Sequence, residues 1–163
     1  MRERKLPSVL FVCLGNICRS PLAQAALETR AAHQGLALTV DSAGTGNWHI
    51  GRPPDERALA EALRHGIDIS HYRARQIEQA DFSRFTHIFA LDRQNLADIR
   101  SVAPQNAAAQ IAMLMDLVAG HEGRDVIDPY FGDASGFSET WQQVSLAADA
   151  LLSRIDASNR QRG

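Results

Sequence analysis

The chain has 163 residues, enough for one domain that buries roughly 68–70% of its unfolded surface without a disulfide or metal staple. Hydrophobic residues make up 45% and charged residues 22%, which excludes a disordered or collagen-like chain. The net charge of −2 offers no basic footprint for a nucleic acid. The basic cluster Arg2, Arg4, Lys5 precedes an apolar run that stops at Leu14, too short for a signal-peptide core or a bilayer span. A cytoplasmic protein without membrane association is expected, with residues 1–163 as one domain and residues 1–6 as a flexible lead-in.

Strand and helix patterns then alternate along the chain. Residues 9–12 are a short apolar run of the kind found in buried parallel strands. Leu22, Ala23, Ala26 and Leu27 recur at helical spacing, with Ser20 as the expected N-cap and Pro21 at the first helical position. Residues 36–40 read as a second strand and residues 42–46 as the loop after it. Leu59, Ala62 and Leu63 mark a helix entered through Pro53-Pro54-Asp55 and closed near Gly66. Residues 87–91 read as a third strand, 92–99 as the start of a helix, and 111–115 as a fourth strand. A long loop through Asp128-Pro129 follows. Trp141, Val144, Ala148, Leu151 and Ile155 then form the apolar stripe of a C-terminal helix.

This order predicts an α/β fold: a single domain with a four-stranded parallel sheet flanked by helices on both faces. Ligands of such sheets bind beyond the carboxyl ends of the strands. There the first strand runs into Cys13-Leu14-Gly15-Asn16-Ile17-Cys18-Arg19-Ser20, followed by a helix. A short loop at a helix N-terminus is an anion site, because its N–H groups and the helix end favour negative charge. Arg19 adds a planar cation suited to phosphate oxygens. Cys13, at the other end of the loop, faces the same centre. Its thiolate is favoured there and is a nucleophile for phosphoryl transfer. The spacing does not match the Gly-Lys loop of nucleotide-binding proteins. The two cysteines, with four residues between them, fit neither a disulfide scaffold nor a zinc site, so no metal and no cofactor is expected.

The segment from Cys13 to Pro21 resembles the active-site loop of the low-molecular-weight protein tyrosine phosphatases. Asp41-Ser42-Ala43-Gly44-Thr45 followed by Trp48, the run Pro54-Asp55-Glu56-Arg57-Ala58, and Asp128-Pro129-Tyr130 match the same family in order. The resemblance implies a phosphate-binding loop made by Leu14, Gly15, Asn16, Ile17, Cys18 and Ser20. It implies Cys13 as nucleophile through a cysteinyl-phosphate, Arg19 as phosphate clamp and Asp128 as general acid and then base. Ser20, Asn16, Ser42 and His71 become supporting residues, with the Asn16 amide bonded to Ser42 and His71. Asp92 is a secondary acidic residue near the site, and Trp48, Tyr130 and Phe131 form the substrate rim. The implied reaction is metal-independent hydrolysis of phosphotyrosine and aryl phosphates. The implied partners are a phosphotyrosine-containing protein, such as a bacterial tyrosine kinase, and inorganic phosphate as product inhibitor.

Three rivals are weighed against this reading. An arsenate reductase needs further cysteines beyond the third strand, and residues 82–96 contain none. A protein-arginine phosphatase carries Thr where this chain has Ile17. A phosphate-sensing binding module would need neither Cys13 nor Asp128.

Overall fold

Strand β1 (Ser8–Cys13) lies inside the sheet, paired in parallel with β2 (Thr39–Gly44) on one side and β3 (His87–Ala90) on the other. Strand β4 (Gln110–Met113) pairs in parallel with β3, so the spatial order is β2-β1-β3-β4. The computed structural model describes residues 6–162, and side chains as far as residue 157. The expected lead-in therefore lies, except for Leu6, outside the described residues.

The alternation of β1 side chains decides the layers. Val9, Phe11 and Cys13 join the larger core, beneath α1 (Arg19–His33), α2 (Glu56–Arg64) and α5 (Ser135–Arg162). Leu10 and Val12 point the other way, into a core with Phe82 of α3 (Asp81–Arg84) and Ile99 of α4 (Arg93–Val102). Fully burying a side chain such as Phe11, Leu10 or Ile99 contributes about 1.5–3 kcal/mol. The stripe Trp141, Val144, Ala148, Leu151, Ile155 is buried along α5 as its spacing predicts.

Several boundaries differ from the sequence expectation. The second strand begins three residues later and absorbs residues 41–44, expected to lie partly in a loop. Ser42, Ala43 and Gly44 pair with Phe11, Val12 and Cys13, whereas Leu36 and Leu38 pack on the core ahead of the strand. The fourth strand ends at Met113 and Leu114–Leu117 forms a 3₁₀ turn. The four-residue α3 carries no periodic signal of its own. Ser20 does not cap α1: Cys18 holds the cap position without a side-chain bond, and Ser20 sits in the first turn with its hydroxyl committed elsewhere. No helix among the described residues is long and apolar enough to cross a membrane.

The chain leaves β1 toward β2 and returns across it to β3. The crevice beyond the carboxyl ends of β1 and β3 is therefore the switch point at which such sheets bind ligands.

Candidate active site

The loop 13–19 leaves β1 at Cys13 and enters α1 at Arg19. Its carbonyls turn onto the protein: Cys13 O and Leu14 O accept from Thr45 and Gly46 N–H, and Ile17 O accepts from Asp55 N–H. What these bonds leave for a ligand is N–H groups. Gly44 permits the close approach, since a Cβ there would stand 2.7 Å from Leu14 O.

Asn16 holds the turn. It is 3% exposed and has φ 58°, a left-handed conformation that Asn tolerates better than most residues. Its Nδ2 donates to Ser20 Oγ at 2.8 Å and to Ser42 Oγ at 3.0 Å, while Oδ1 accepts from Arg75 N–H at 3.0 Å. The Arg75 N–H occupies the place expected for His71, which is exposed and packs edge-on against Tyr72. Ser20 Oγ, already accepting from Asn16, has its own hydrogen free for Cys13 Sγ at 3.0 Å. Asn16 N–H donates to the same sulfur at 3.3 Å. Both hydrogens are directed at the one sulfur. The Asn16 amide is thus the centre of a chain that continues from Ser42 Oγ to Gln24 Oε1 at 2.7 Å and from Gln24 Nε2 to Glu28 Oε1 at 2.6 Å.

Arg19 is 4% exposed and held from the far side of the crevice. Its Nη1 donates to Asp92 Oδ2 at 2.7 Å and to Val126 O at 3.3 Å. Burial opposes its charge, but the Cys13 sulfur, Asp92 and Asp128 outweigh that, and the guanidinium is held more firmly protonated than usual. Asp92 also caps α4 through Asn95 N–H at 2.6 Å, so a helix cap and an ion-pair partner are one residue. Asp128 Oδ2 stands 3.6 Å from Arg19 Nη2. Its side chain is 42% exposed, and Oδ1 accepts from Tyr130 N–H. Burial, and then the negative groups Asp55, Cys13 and Asp128, push the Cys18 thiol well above its ordinary value, so the second cysteine stays a thiol beside the first.

A cavity of about 140 Å³ brings Cys13, Arg19 and Asp128 together with Leu14, Gly15, Ile17 and Cys18 of the loop. Trp48, Tyr130 and Phe131 stand around it and are exposed, Phe131 at 92%. Ser42 and His71 do not reach this cavity and line a separate one behind the loop, beside Gln24 and Glu28.

Three further residues contribute to which the sequence alone assigns no role. Gln24 and Arg75 support Asn16, the latter from 59 positions away. Arg57 clamps Asp55 with Nε and Nη2 at 3.0 and 3.1 Å and donates to Tyr130 O and Gly132 O, both at 3.0 Å. Asp55 N–H is bonded to Ile17 O, so this pair ties the loop 13–19 to the Asp128 segment. The Asp55-x-Arg57 spacing at a helix start was the available signal.

Fold and site together define a class: an open parallel α/β sheet whose first loop presents a thiol and a buried guanidinium to one small cavity. Comparison with known proteins narrows it. The family model described as low molecular weight phosphotyrosine protein phosphatase matches residues 8–161. The low molecular weight phosphotyrosine protein phosphatase of Schizosaccharomyces pombe is 41% identical over 150 residues, covering 90% of this chain and 96% of that one. The low molecular weight protein-tyrosine-phosphatase YfkJ of Bacillus subtilis is also 41% identical, covering 91% and 95%. Its crystal structure superposes with a TM-score of 0.88 over 96% of this chain and 99% of that one. The chain belongs to the low-molecular-weight phosphotyrosine protein phosphatase family and is a hydrolase of the protein-tyrosine-phosphatase class.

Proposed function

We propose that the protein hydrolyses phosphotyrosine in proteins, and aryl phosphates generally, through a cysteinyl-phosphate. The observation that carries this is the thiol of Cys13 between two donors, sharing a cavity with Arg19 and Asp128. The phosphoryl group sits in the loop, its oxygens on loop N–H groups and on the Arg19 nitrogens that Asp92 and Val126 leave free. Cys13 Sγ attacks phosphorus, and the bond to the tyrosyl oxygen breaks. The carboxyl of Asp128 gives its proton to that oxygen, whose phenol has an ordinary pKa near 10. The Asp128 carboxylate then takes a proton from water, the water oxygen attacks phosphorus, and the thiolate leaves. Arg19 stabilises the charge on the transferring group in both steps.

Trp48, Tyr130 and Phe131 flank the substrate ring, and Ile17 in place of Thr favours tyrosine over phosphoarginine. Ser20, Asn16 and Ser42 hold the loop in its bound shape. The reaction needs no metal. Inorganic phosphate, the product, competes for the loop. The substrate is a phosphotyrosine protein of the cytoplasm, a bacterial tyrosine kinase being the natural class.

The test is Cys13→Ser, assayed with a phosphotyrosine peptide in metal-free buffer. Turnover falls by about 10⁴-fold or more. In the wild type, iodoacetate alkylates Cys13 and inorganic phosphate protects it. Retained turnover in the variant, or alkylation blind to phosphate, overturns the assignment.

A further inference from the structure

Beside the active-site cavity, across a ridge formed by Leu14 and Trp48, lies a second depression of about 490 Å³. It is floored by Thr45 and the 76–79 segment and walled by the end of α4. Its chemistry is one-sided. Gln76 Nε2 donates to Thr45 O, Gln79 Nε2 to Val102 O, and the Ser101 hydroxyl to Asp98 O. Because a carbonyl accepts only from a donor, these bonds fix both glutamine amides with Nε2 inward on the protein. They leave the amide oxygens to a ligand. The Thr45 Oγ1 atom is buried and has no partner among the described residues. The ionisable side chains lining the groove are Glu78 and Asp98, both acidic. Asp98 accepts from Gln94 Nε2, and Glu78 meets Arg84 at 3.6 Å, a loose pair of two exposed side chains that contributes little. Exposed apolar surface of Leu14, Trp48 and Val102 borders these acceptors.

We infer that this groove receives an arginine or lysine side chain of the substrate polypeptide, close in sequence to the phosphotyrosine. The inference rests on the phosphotyrosine phosphatase reading and deepens it by naming the substrate class. A groove rich in acceptors with two negative charges selects a donor-rich cation. Apolar stems of Arg and Lys lie along surfaces such as Val102 and Ile77 while the head reaches polar groups. The indole of Trp48 offers a face for a guanidinium. The occupant is a polypeptide segment because the groove shares Leu14 and Trp48 with the phosphate cavity.

The experiment compares phosphotyrosine peptides with Arg, Ala or Glu scanned through successive positions on either side of the phosphotyrosine, with p-nitrophenyl phosphate as a substrate too small to reach the groove. At low salt, kcat/KM for the best Arg peptide exceeds that of its Glu counterpart by about three- to tenfold, the range for two exposed charge contacts. The preference shrinks at high salt, which screens exposed charges. In the Glu78→Gln/Asp98→Asn double variant it disappears, and in Glu78→Lys/Asp98→Lys it inverts, while p-nitrophenyl phosphate turnover stays unchanged. Equal kcat/KM for Arg and Glu peptides, or a preference that survives the double variant, overturns the groove. Failure of wild-type protein to hydrolyse any of these esters overturns the phosphatase reading instead.

Discussion

The two sides of the active site are built differently. On the loop side, Asn16 is buried and uses its amide three times, and the loop carbonyls are tied to Thr45, Gly46 and Asp55. On the acid side, Asp128 and Phe131 are exposed, and the segment is held by bonds at its margins: Thr140 and Gln143 onto Ile127, and Arg57 onto Tyr130 and Gly132. Binding a phosphoryl group repeatedly in one geometry demands preorganised donors. In the proposed reaction, delivering a proton demands only that one carboxyl reach the leaving oxygen, while the segment bearing it would have to admit a protein substrate. Damage to the loop side should therefore cost phosphate affinity and stability together. Damage to the acid side should cost the two proton-transfer steps and leave phosphate affinity intact.

The largest effect expected in this comparison comes from Asp128→Asn. A positioned acid contributes about 10²–10⁴-fold, and a reluctant leaving group needs it most. Single-turnover phenol release across substituted aryl phosphates should fall steeply for phenyl and tyrosyl phosphate and little for highly activated esters. An equal drop across the series would remove Asp128 from the acid role and point to Asp92. The next effect is that of Asn16→Gly, which deletes the amide while keeping a residue at ease with φ 58°. It removes the bonds that Ser20 Oγ and Ser42 Oγ accept, though each hydroxyl keeps its bond to Cys13 or Gln24, and leaves the Arg75 N–H without its acceptor, at about 1–3 kcal/mol for a buried group left unpaired. The midpoint of urea unfolding should drop, and inorganic phosphate should inhibit about tenfold less well.

Arg57→Met tests the other side at a smaller scale, about tenfold. It removes the donors to Tyr130 O and Gly132 O and the cation 4.8 Å from the Phe137 ring, but keeps an apolar stem. If Asp128 is the acid, Arg57 positions it through Tyr130 O and Gly132 O, and its loss should act through Asp128. Turnover of phenyl phosphate should fall while phosphate inhibition holds, and in an Asp128→Asn background the substitution should add almost nothing. Additive losses would mean that Arg57 acts on the fold and not on the acid.

The asymmetry also explains what the sequence discloses. The loop is legible because Cys13, Asn16, Arg19 and Ser20 are contiguous, and their order between a strand and a helix carries the chemistry. Asp128 is legible through its proline and the family resemblance. Gln24 and Arg75 are not, because each acts through a contact made only in the folded chain, and of Arg57 only the local pairing with Asp55 is legible, not its reach to Tyr130 O and Gly132 O. Nothing local in Arg75 foretells a backbone bond to Asn16, and His71, a better candidate by residue type, lies off the loop. Ser20 shows the converse. A Ser before an apolar run reads as a cap, yet its hydroxyl serves Cys13 because Asn16 occupies its lone pair. The late start of β2 has the same origin, since burial of Ser42 and Gly44 against β1 and the loop overrides the apolar signal of Leu36 and Leu38.

The smallest effect lies at the remote end of the loop-side chain. Burial raises the carboxyl of Glu28 above its ordinary value of 4.5, opposed by bonds from Gln24 Nε2 and the Tyr72 hydroxyl. The folded protein therefore holds this proton more tightly than the unfolded chain. Between the ordinary value and the raised one, the unfolded chain has released a proton that the folded protein retains, and stability falls as pH rises through that window. Below the window both states are protonated and the contribution is fully present. Glu28→Gln removes the titration while keeping a donor and an acceptor beside Gln24 and Tyr72. Thermal midpoints of wild type and variant, compared from about pH 4 to neutrality, should diverge in the variant's favour as pH rises, by on the order of 1 °C. Below the window the two curves should run parallel. Divergence of the opposite sign would mean that the bonds from Gln24 and Tyr72 outweigh burial, making Glu28 a stabilised anion. Constant separation at every pH would mean that the carboxyl titrates alike in both states. In neither of those cases would the far end of the chain be the pH-sensitive point on the loop side.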